Sequence, residues 1–462
     1  MGRILSFDRG IAIVAALVAA LLPMLFGGVI PWGMGAAAVL LAFLGMIGRG
    51  SAMTRFGRAQ AWLLILFIVL MGIVALQILP DIGVAPPDPT WQPAGALLGL
   101  DLLPRIAADL ARAQSGLIII PLYVAAFAIG LHIGASARGG PLFLEAFALV
   151  SSVLILFTVL AFTLEPGVLL GEARKAYIGY YTHGFVNRNS AATYVGIVGL
   201  TSALLFLRET QKRSSYLALT SGRSQSWFGR SKPVIWVLCT LLAFGALAMT
   251  GSRAGIGLFA ACLVLAIALY GMRNSRHSPG WVVAGGLLVI AVFAFLASDT
   301  GQLEQRLTES GLESPERGQI YALAWKLILE RPWLGHGIGS FSIVFPEIKP
   351  LDIGDFYKVW DRVHDTPLEI AFELGLPATV LLVFLWVAVF VNLVISVFRS
   401  DRFVYPLIGA AVWLFASLHS LIDFSLQIPG VGAAALVIVG SMLTFGPYAD
   451  SKAAQVYVGS PL

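Results

Sequence analysis

The chain has 462 residues, 58% of them hydrophobic and 12% charged, with a mean hydropathy of +0.86. Soluble domains carry roughly a quarter charged residues, so a water-soluble globule is excluded. The net charge of +5 does not call for a nucleic-acid partner, because multi-pass membrane proteins collect Lys and Arg in their cytoplasmic loops.

Crossing a hydrocarbon core takes roughly 20 apolar helical residues. In chain order, such runs lie near 11–30, 32–48, 60–79, 117–134, 142–163, 190–207, 233–250, 254–271, 281–298, 368–398, 403–421 and 430–446. These runs, about twelve in all, predict an all-α polytopic integral membrane protein, with 1–462 as a single membrane domain. Arg3 and Arg9 precede the first run, but its apolar core is long and no clear cleavage site follows, so a retained helix is expected. Alternate connections hold 17 of the 30 basic residues but, of the 25 acidic ones, only Asp8, Glu145, Glu209, Asp401 and Asp450. The positive-inside rule then puts both termini in the cytoplasm. Cys239 and Cys262 sit inside apolar runs and form neither a disulfide framework nor a CxxC pair.

One outer connection, 299–366, is long enough to carry function. Within it Ser314 suits an N-cap and Pro315 a first helical position, and Ile320, Leu323, Ala324, Leu327 and Ile328 recur at helical spacing. This amphipathic helix is expected on the membrane surface or across the bundle mouth. Arg331-Pro332 ends it, and Gly335, Gly337 and Gly339 follow in a turn.

Three polar clusters fall at outer ends of spans. In Thr250-Gly251-Ser252-Arg253-Ala254-Gly255, Ser252 is a natural N-cap that places Arg253 in the first turn of a helix. A cation there opposes the helix dipole by about 0.3–1 kcal/mol. An anionic partner would offset that cost, and a guanidinium matches phosphate bidentately. A snorkelling interface Arg accounts for the same pattern. Arg317, beside Glu316, has a weaker form of the argument, and a solvated Arg explains it better. In Arg362-Val363-His364-Asp365-Thr366-Pro367-Leu368-Glu369, Thr366 and Glu369 have capping-box spacing. His364 would then stand just outside a positive helix terminus that favours the neutral imidazole, as suits a general base. A structural His is the alternative. The other histidines are poorer candidates, and His419, near the outer end of its span, is expected to be structural or supporting.

Together these residues resemble the bacterial O-antigen ligase and polymerase superfamily. The resemblance covers residues 184–430 and rests on Gly184-Phe185-Val186-Asn187-Arg188-Asn189, the Gly251–Gly255 turn, the stretch from Arg317 to Phe341, His364–Glu369 with Glu373-Leu374-Gly375, and His419-Ser420-Leu421-Ile422-Asp423-Phe424. It implies glycan transfer from a polyprenyl-pyrophosphate carrier on the periplasmic face of the inner membrane. Arg253 and Arg317 would bind the pyrophosphate and His364 would be the base, with Arg188, Asn189, Arg362 and Asp365 as further substrate contacts. Asp365 departs from the small polar amide the family pattern leads one to expect. The resemblance implies no cofactor and no metal, the guanidiniums supplying the positive charge. The acceptor would be lipid A core for a ligase or the growing polysaccharide for a polymerase, with membrane lipid around it. A lipid-linked oligosaccharide flippase is the rival from another class, but it calls for polar residues along a transmembrane path, whereas these clusters lie on one face.

Overall fold

The computed structural model describes residues 2–47, 49–136, 138–219, 227–274, 315–349 and 360–445. The expected span at 281–298, and parts 299–314 and 350–359 of the long connection, lie outside the described residues.

The apolar runs fold as helices: α1 Gly2–Leu21, α2 Pro31–Ile47, α3 Arg49–Ile78, α4 Trp91–Leu98, α5 Leu110–Gln114, α6 Gly116–Ala135, α7 Gly139–Leu164, α8 Arg188–Leu219, α9 Trp227–Met249 and α10 Arg253–Arg273. The described chain resumes with α11 Pro315–Glu330, α12 Phe341–Ile348, α13 Thr366–Leu374, α14 Leu376–Arg399, α15 Val404–Ser420 and α16 Pro429–Leu443. Among the described residues, seven helical stretches are long and apolar enough to cross a membrane; α2, α15 and α16 are shorter apolar helices beside them. The architecture is an all-α polytopic bundle, with one two-residue hairpin, Val168–Leu169 against Glu172–Ala173.

Helix α8 is the axis. Its most apolar window is 83% buried, against 17% for α14, whose side chains face outward. Helices α6 and α16 approach closely because Gly130 and Gly134 lie against Gly440 and Ser441, where any Cβ would strike backbone. Small residues make such contacts in lipid, where apolar burial alone drives little helix association.

Two expected spans are shorter than their apolar runs. The run 11–30 stops being α-helical at Leu21; Pro23 follows, and Gly27 and Gly28 take positive φ of 81° and 80°. Those conformations turn the chain at no side-chain cost. The run 368–398 breaks at Gly375, φ 85°, where a Cβ would collide with the Trp333 carbonyl. Hydropathy alone could not show that break. Only α14 is span-like, and α13 stands apart as a short helix.

The helices run between two ends. At the basic end, Glu145 of α7 pairs with Arg208 of α8 and Lys232 of α9, and Arg273 at the close of α10 bonds the Ser400 carbonyl. At the opposite end, the Tyr181 amide bonds Met249 O as α9 finishes, and Gly184 lies against Pro23 beyond α1. The apolar face expected on 315–330 is present. Ile320, Ala324, Leu327 and Ile328 are buried with Phe341, Phe345, Val363 and Phe372. Protein neighbours cover this face, in place of the lipid contact expected of a surface helix.

Candidate active site

The turn before α10 forms as its sequence predicts. Ser252 caps the helix, its Oγ accepting from Gly255 N at 3.3 Å, and Thr250 Oγ1 accepts from Ser252 N at 3.2 Å. Such a cap contributes about 1 kcal/mol. Arg253 is the first helical residue and is exposed, with no carboxylate partner among the described residues. Gly251 takes φ 62°, and a Cβ there would lie 2.6 Å from Tyr180 Cε1 and 3.4 Å from Arg188 Nη1. The turn therefore folds tightly onto a second guanidinium.

Arg188 opens α8, where Asn187 Oδ1 accepts from the amide of Asn189 at 2.6 Å. Its guanidinium stacks on Tyr180 at 4.4 Å and on Tyr177 at 5.8 Å, and its Nε is buried without a partner. The structure thus brings Arg188 to the Arg253 turn, while Asn189 follows it in the first turn of α8. Arg317 lies in the first turn of α11, but side chains there are described only from Gly318 onward.

His364 stands immediately before α13. Its Nδ1 lies 3.1 Å from Asp423 Oδ1, and its ring meets Trp360 and Phe424 edge-on at 5.4 and 5.0 Å. Its backbone is left-handed, φ 64°, uncommon for a residue with a side chain. Tyr321 Oη on α11 donates to the His364 carbonyl at 3.1 Å. Asp423 is 1% exposed; Oδ1 also accepts from Phe424 N at 2.9 Å, and Oδ2 is buried without a partner. Burial pushes its carboxyl upward, but the hydrogen bond and charge of His364, the charge of His419 and the Phe424 amide outweigh this and hold it below the ordinary carboxylate range. With Nδ1 committed to a carboxylate, Nε2 is the nitrogen left to accept a proton.

The cap of α13 differs from expectation. Asp365, not Thr366, is the N-cap, its Oδ1 accepting from Leu368 N at 2.8 Å. The Asp365 carboxylate thus serves the helix in the described structure. Glu369 does not complete a capping box. It accepts from the Val363 amide at 3.1 Å and from Arg362 Nη1 at 2.9 Å, and Arg362 also reaches Gln427 Oε1. Arg362 is thereby tied into the scaffold.

These parts share one end of the bundle. Gly255 packs against Ala192 of α8, and the neighbouring Thr193 bonds Nδ1 of His419, which lies one turn before Asp423. His419 is buried and supports the site, as its position suggested. The N-terminal half braces the same region: Gln77 Nε2 donates to the carbonyls of Leu334 and Glu373, Arg331 donates to those of Pro86 and Pro87, and Arg112 bonds Ser342. Sequence reading gave Asp423 and Gln77 no role, although Asp423 stands in the His419–Phe424 stretch that carries the resemblance and is a carboxylate just past the outer end of a span. Among the described residues, no three His, Cys, Asp or Glu side chains are grouped as metal ligands would be.

Residues 238–383 match the family model of O-antigen ligase. The match bears out the resemblance to the O-antigen ligase and polymerase superfamily, and with it a membrane glycosyltransferase type of activity in general. It includes Arg253, Arg317 and His364 but ends before Asp423 and begins after Arg188. No curated protein matches the chain.

Proposed function

We propose that this protein transfers a glycan from a polyprenyl-pyrophosphate carrier to an acceptor hydroxyl on the periplasmic face of the inner membrane. The observation that carries the reading is the His364–Asp423 pair at the same end as the Arg253 turn. His364 Nε2 takes the hydroxyl proton as the oxygen attacks the anomeric carbon. The bond from that carbon to the pyrophosphate oxygen breaks, and polyprenyl pyrophosphate leaves with the electron pair. Attack opposite the leaving group inverts the anomeric centre. Arg253 and Arg317 stabilise the charge on the departing pyrophosphate, where preorganised donors act most strongly. Arg188, stacked and carrying a free Nε, supplies a further guanidinium to the same anion. The acceptor is lipid A core in the ligase form of the reading; a growing polysaccharide, in the polymerase form, uses the same donor chemistry. The O-antigen ligase match weighs against the flippase.

Purified protein given a polyprenyl-pyrophosphate glycan and separate acceptors, in EDTA, tests this. Transfer to one acceptor supports the reading. No transfer to any acceptor with or without added magnesium, while the lipid-linked glycan moves between leaflets of a vesicle, would replace it with the flippase.

A further inference from the structure

Helix α4 belongs to the connection between α3 and α5. Arg331, just past α11, donates to the carbonyls of Pro86 and Pro87, which places this connection at the His364 end of the bundle. A relay of hydrogen bonds fixes the height of α4. Trp91 Nε1 donates to Ala107 O at 3.0 Å, and the Ala107 amide donates to Gln77 O at 3.1 Å. Gln77 is in the last turn of α3, whose Ala61–Ile78 stretch is long and apolar enough to cross a membrane. Arg105 Nε reaches Ile78 O at 2.9 Å, and its guanidinium lies over the Trp91 ring at 5.5 Å. Helix α4 therefore starts level with the end of a span.

From that level its surface is apolar. Residues 89–100 carry no charged side chain. Leu97 and Leu98 are 88% and 62% exposed. Gly99, at φ 64°, turns the chain so that the Leu100 amide bonds back to Gly95 O at 3.0 Å. Leu100 and Leu103 are exposed as well. A helix of eight residues extends only about 12 Å, so these leucines stay near the level at which α3 ends.

A tryptophan marks the same level on a second span. Trp333, 73% exposed, stands where α14 begins. The Leu376 amide donates to Pro332 O, and Leu334 O accepts from Gln77 Nε2. Both α3 and α14 bury only 17% of their most apolar window, so their side chains face lipid. The leucines of α4 continue that lipid-facing surface at its outer edge. Contiguous exposed apolar side chains mark an interaction surface, and a tryptophan at the end of a span marks the membrane interface. We infer that α4 is seated in the bilayer leaflet at the His364 end, with Leu97, Leu98, Leu100 and Leu103 among the acyl chains. Helices that lie in this interface sink their apolar face about 5–10 Å into the headgroup and acyl boundary.

Nitroxide labels at Leu97→Cys, Leu100→Cys and Lys326→Cys, each in protein held in nanodiscs of phosphatidylethanolamine and phosphatidylglycerol, test this. All three positions are exposed, so the substitutions remove no packing, and the buried Cys239 and Cys262 take no label. Relaxation by oxygen, which concentrates in hydrocarbon, is compared with relaxation by a water-soluble nickel chelate. The oxygen-to-nickel ratio is expected to be severalfold higher at positions 97 and 100 than at position 326. A ratio at 97 and 100 equal to that at 326 puts α4 in water and overturns the inference. Labels at 97 and 100 shielded from both reagents mean that protein, such as a second copy of this chain, covers the leucines, and this overturns it too.

Discussion

His364 and Asp423 are 59 residues apart in sequence, yet Nδ1 of one lies 3.1 Å from Oδ1 of the other. The left-handed backbone at His364 and the bond from Tyr321 to its carbonyl fix where the ring begins, and Trp360 and Phe424 flank it. A carboxylate held ionised by its surroundings keeps the proton on Nδ1 and leaves Nε2 basic. That tautomer is what proton abstraction from an acceptor hydroxyl needs.

His364→Ala should therefore lower transfer by about 10²–10⁴ while leaving donor binding intact. Asp423→Asn should lose a smaller share of the rate, on the order of 10², because the amide no longer selects one tautomer. Initial rates and donor affinity, measured separately, check this. Near wild-type transfer by folded His364→Ala protein would remove the base.

Arg253 is exposed at the mouth of α10, with no carboxylate partner among the described residues. Arg253→Ala and Arg317→Ala should each cost about 10²–10³ in rate. Arg253→Lys should recover little, since a point charge lacks the bidentate fork. Arg188→Ala should weaken donor affinity, since its guanidinium reaches the same turn. Donor titration against a fixed acceptor reads these effects, and an unchanged donor affinity in all three alanine variants would leave the pyrophosphate to other residues.

The all-α membrane character, the Ser252 cap and the apolar face of α11 were legible because each is a local pattern. The break at Gly375 was not, since it depends on Trp333 pressing against a glycine that hydropathy counts as part of the run. Asp423 was visible as a residue but not as a partner, because the fold rather than spacing brings it to His364. Nor could the sequence tell that Gln77 and Arg112 from the N-terminal half hold the loop after α11. Long-range hydrogen bonds leave no periodicity.

Arg362 illustrates the same difference. From the sequence it is a further substrate contact beside His364. In the structure it neutralises Glu369, which is 1% exposed, and bonds Gln427. Arg362→Ala strands a buried carboxylate and should destabilise the protein by about 3 kcal/mol. Arg362→Ala combined with Glu369→Gln should recover part of this. Thermal unfolding in detergent measures both, and a single variant as stable as wild type would show the pair to be dispensable.

Glu373 gives the fold a pH dependence. Burial, reinforced by the nearby charge of Glu369, pushes its carboxyl up to about 8, while its Oε1 accepts from Gly339 N at 2.7 Å. A carboxyl whose value is raised on folding keeps its proton in the native state after the unfolded chain has lost it. Stability should therefore fall as pH rises from about 4.3 to 8. Glu373→Gln keeps an acceptor for Gly339 without a charge, so its midpoint should exceed that of wild type by a few degrees at pH 9 and differ little at pH 5. A wild-type midpoint flat across this range would count against the assignment.

Topology is open to a two-site labelling test. Ser340, at the end of the glycine turn, is fully buried, so a cysteine there would report nothing from either side. Lys326 is exposed on the polar face of α11, at the end that holds His364, and Asp401 is exposed at the basic end. Cys239 and Cys262 are buried and should not compete for a polar reagent. In intact cells, Lys326→Cys should react with a membrane-impermeant maleimide, whereas Asp401→Cys should react only after permeabilisation. The bias of 17 basic residues against five acidic ones predicts this orientation. The reverse pattern would put the His364–Asp423 pair on the cytoplasmic side, and a periplasmic transferase would no longer be tenable.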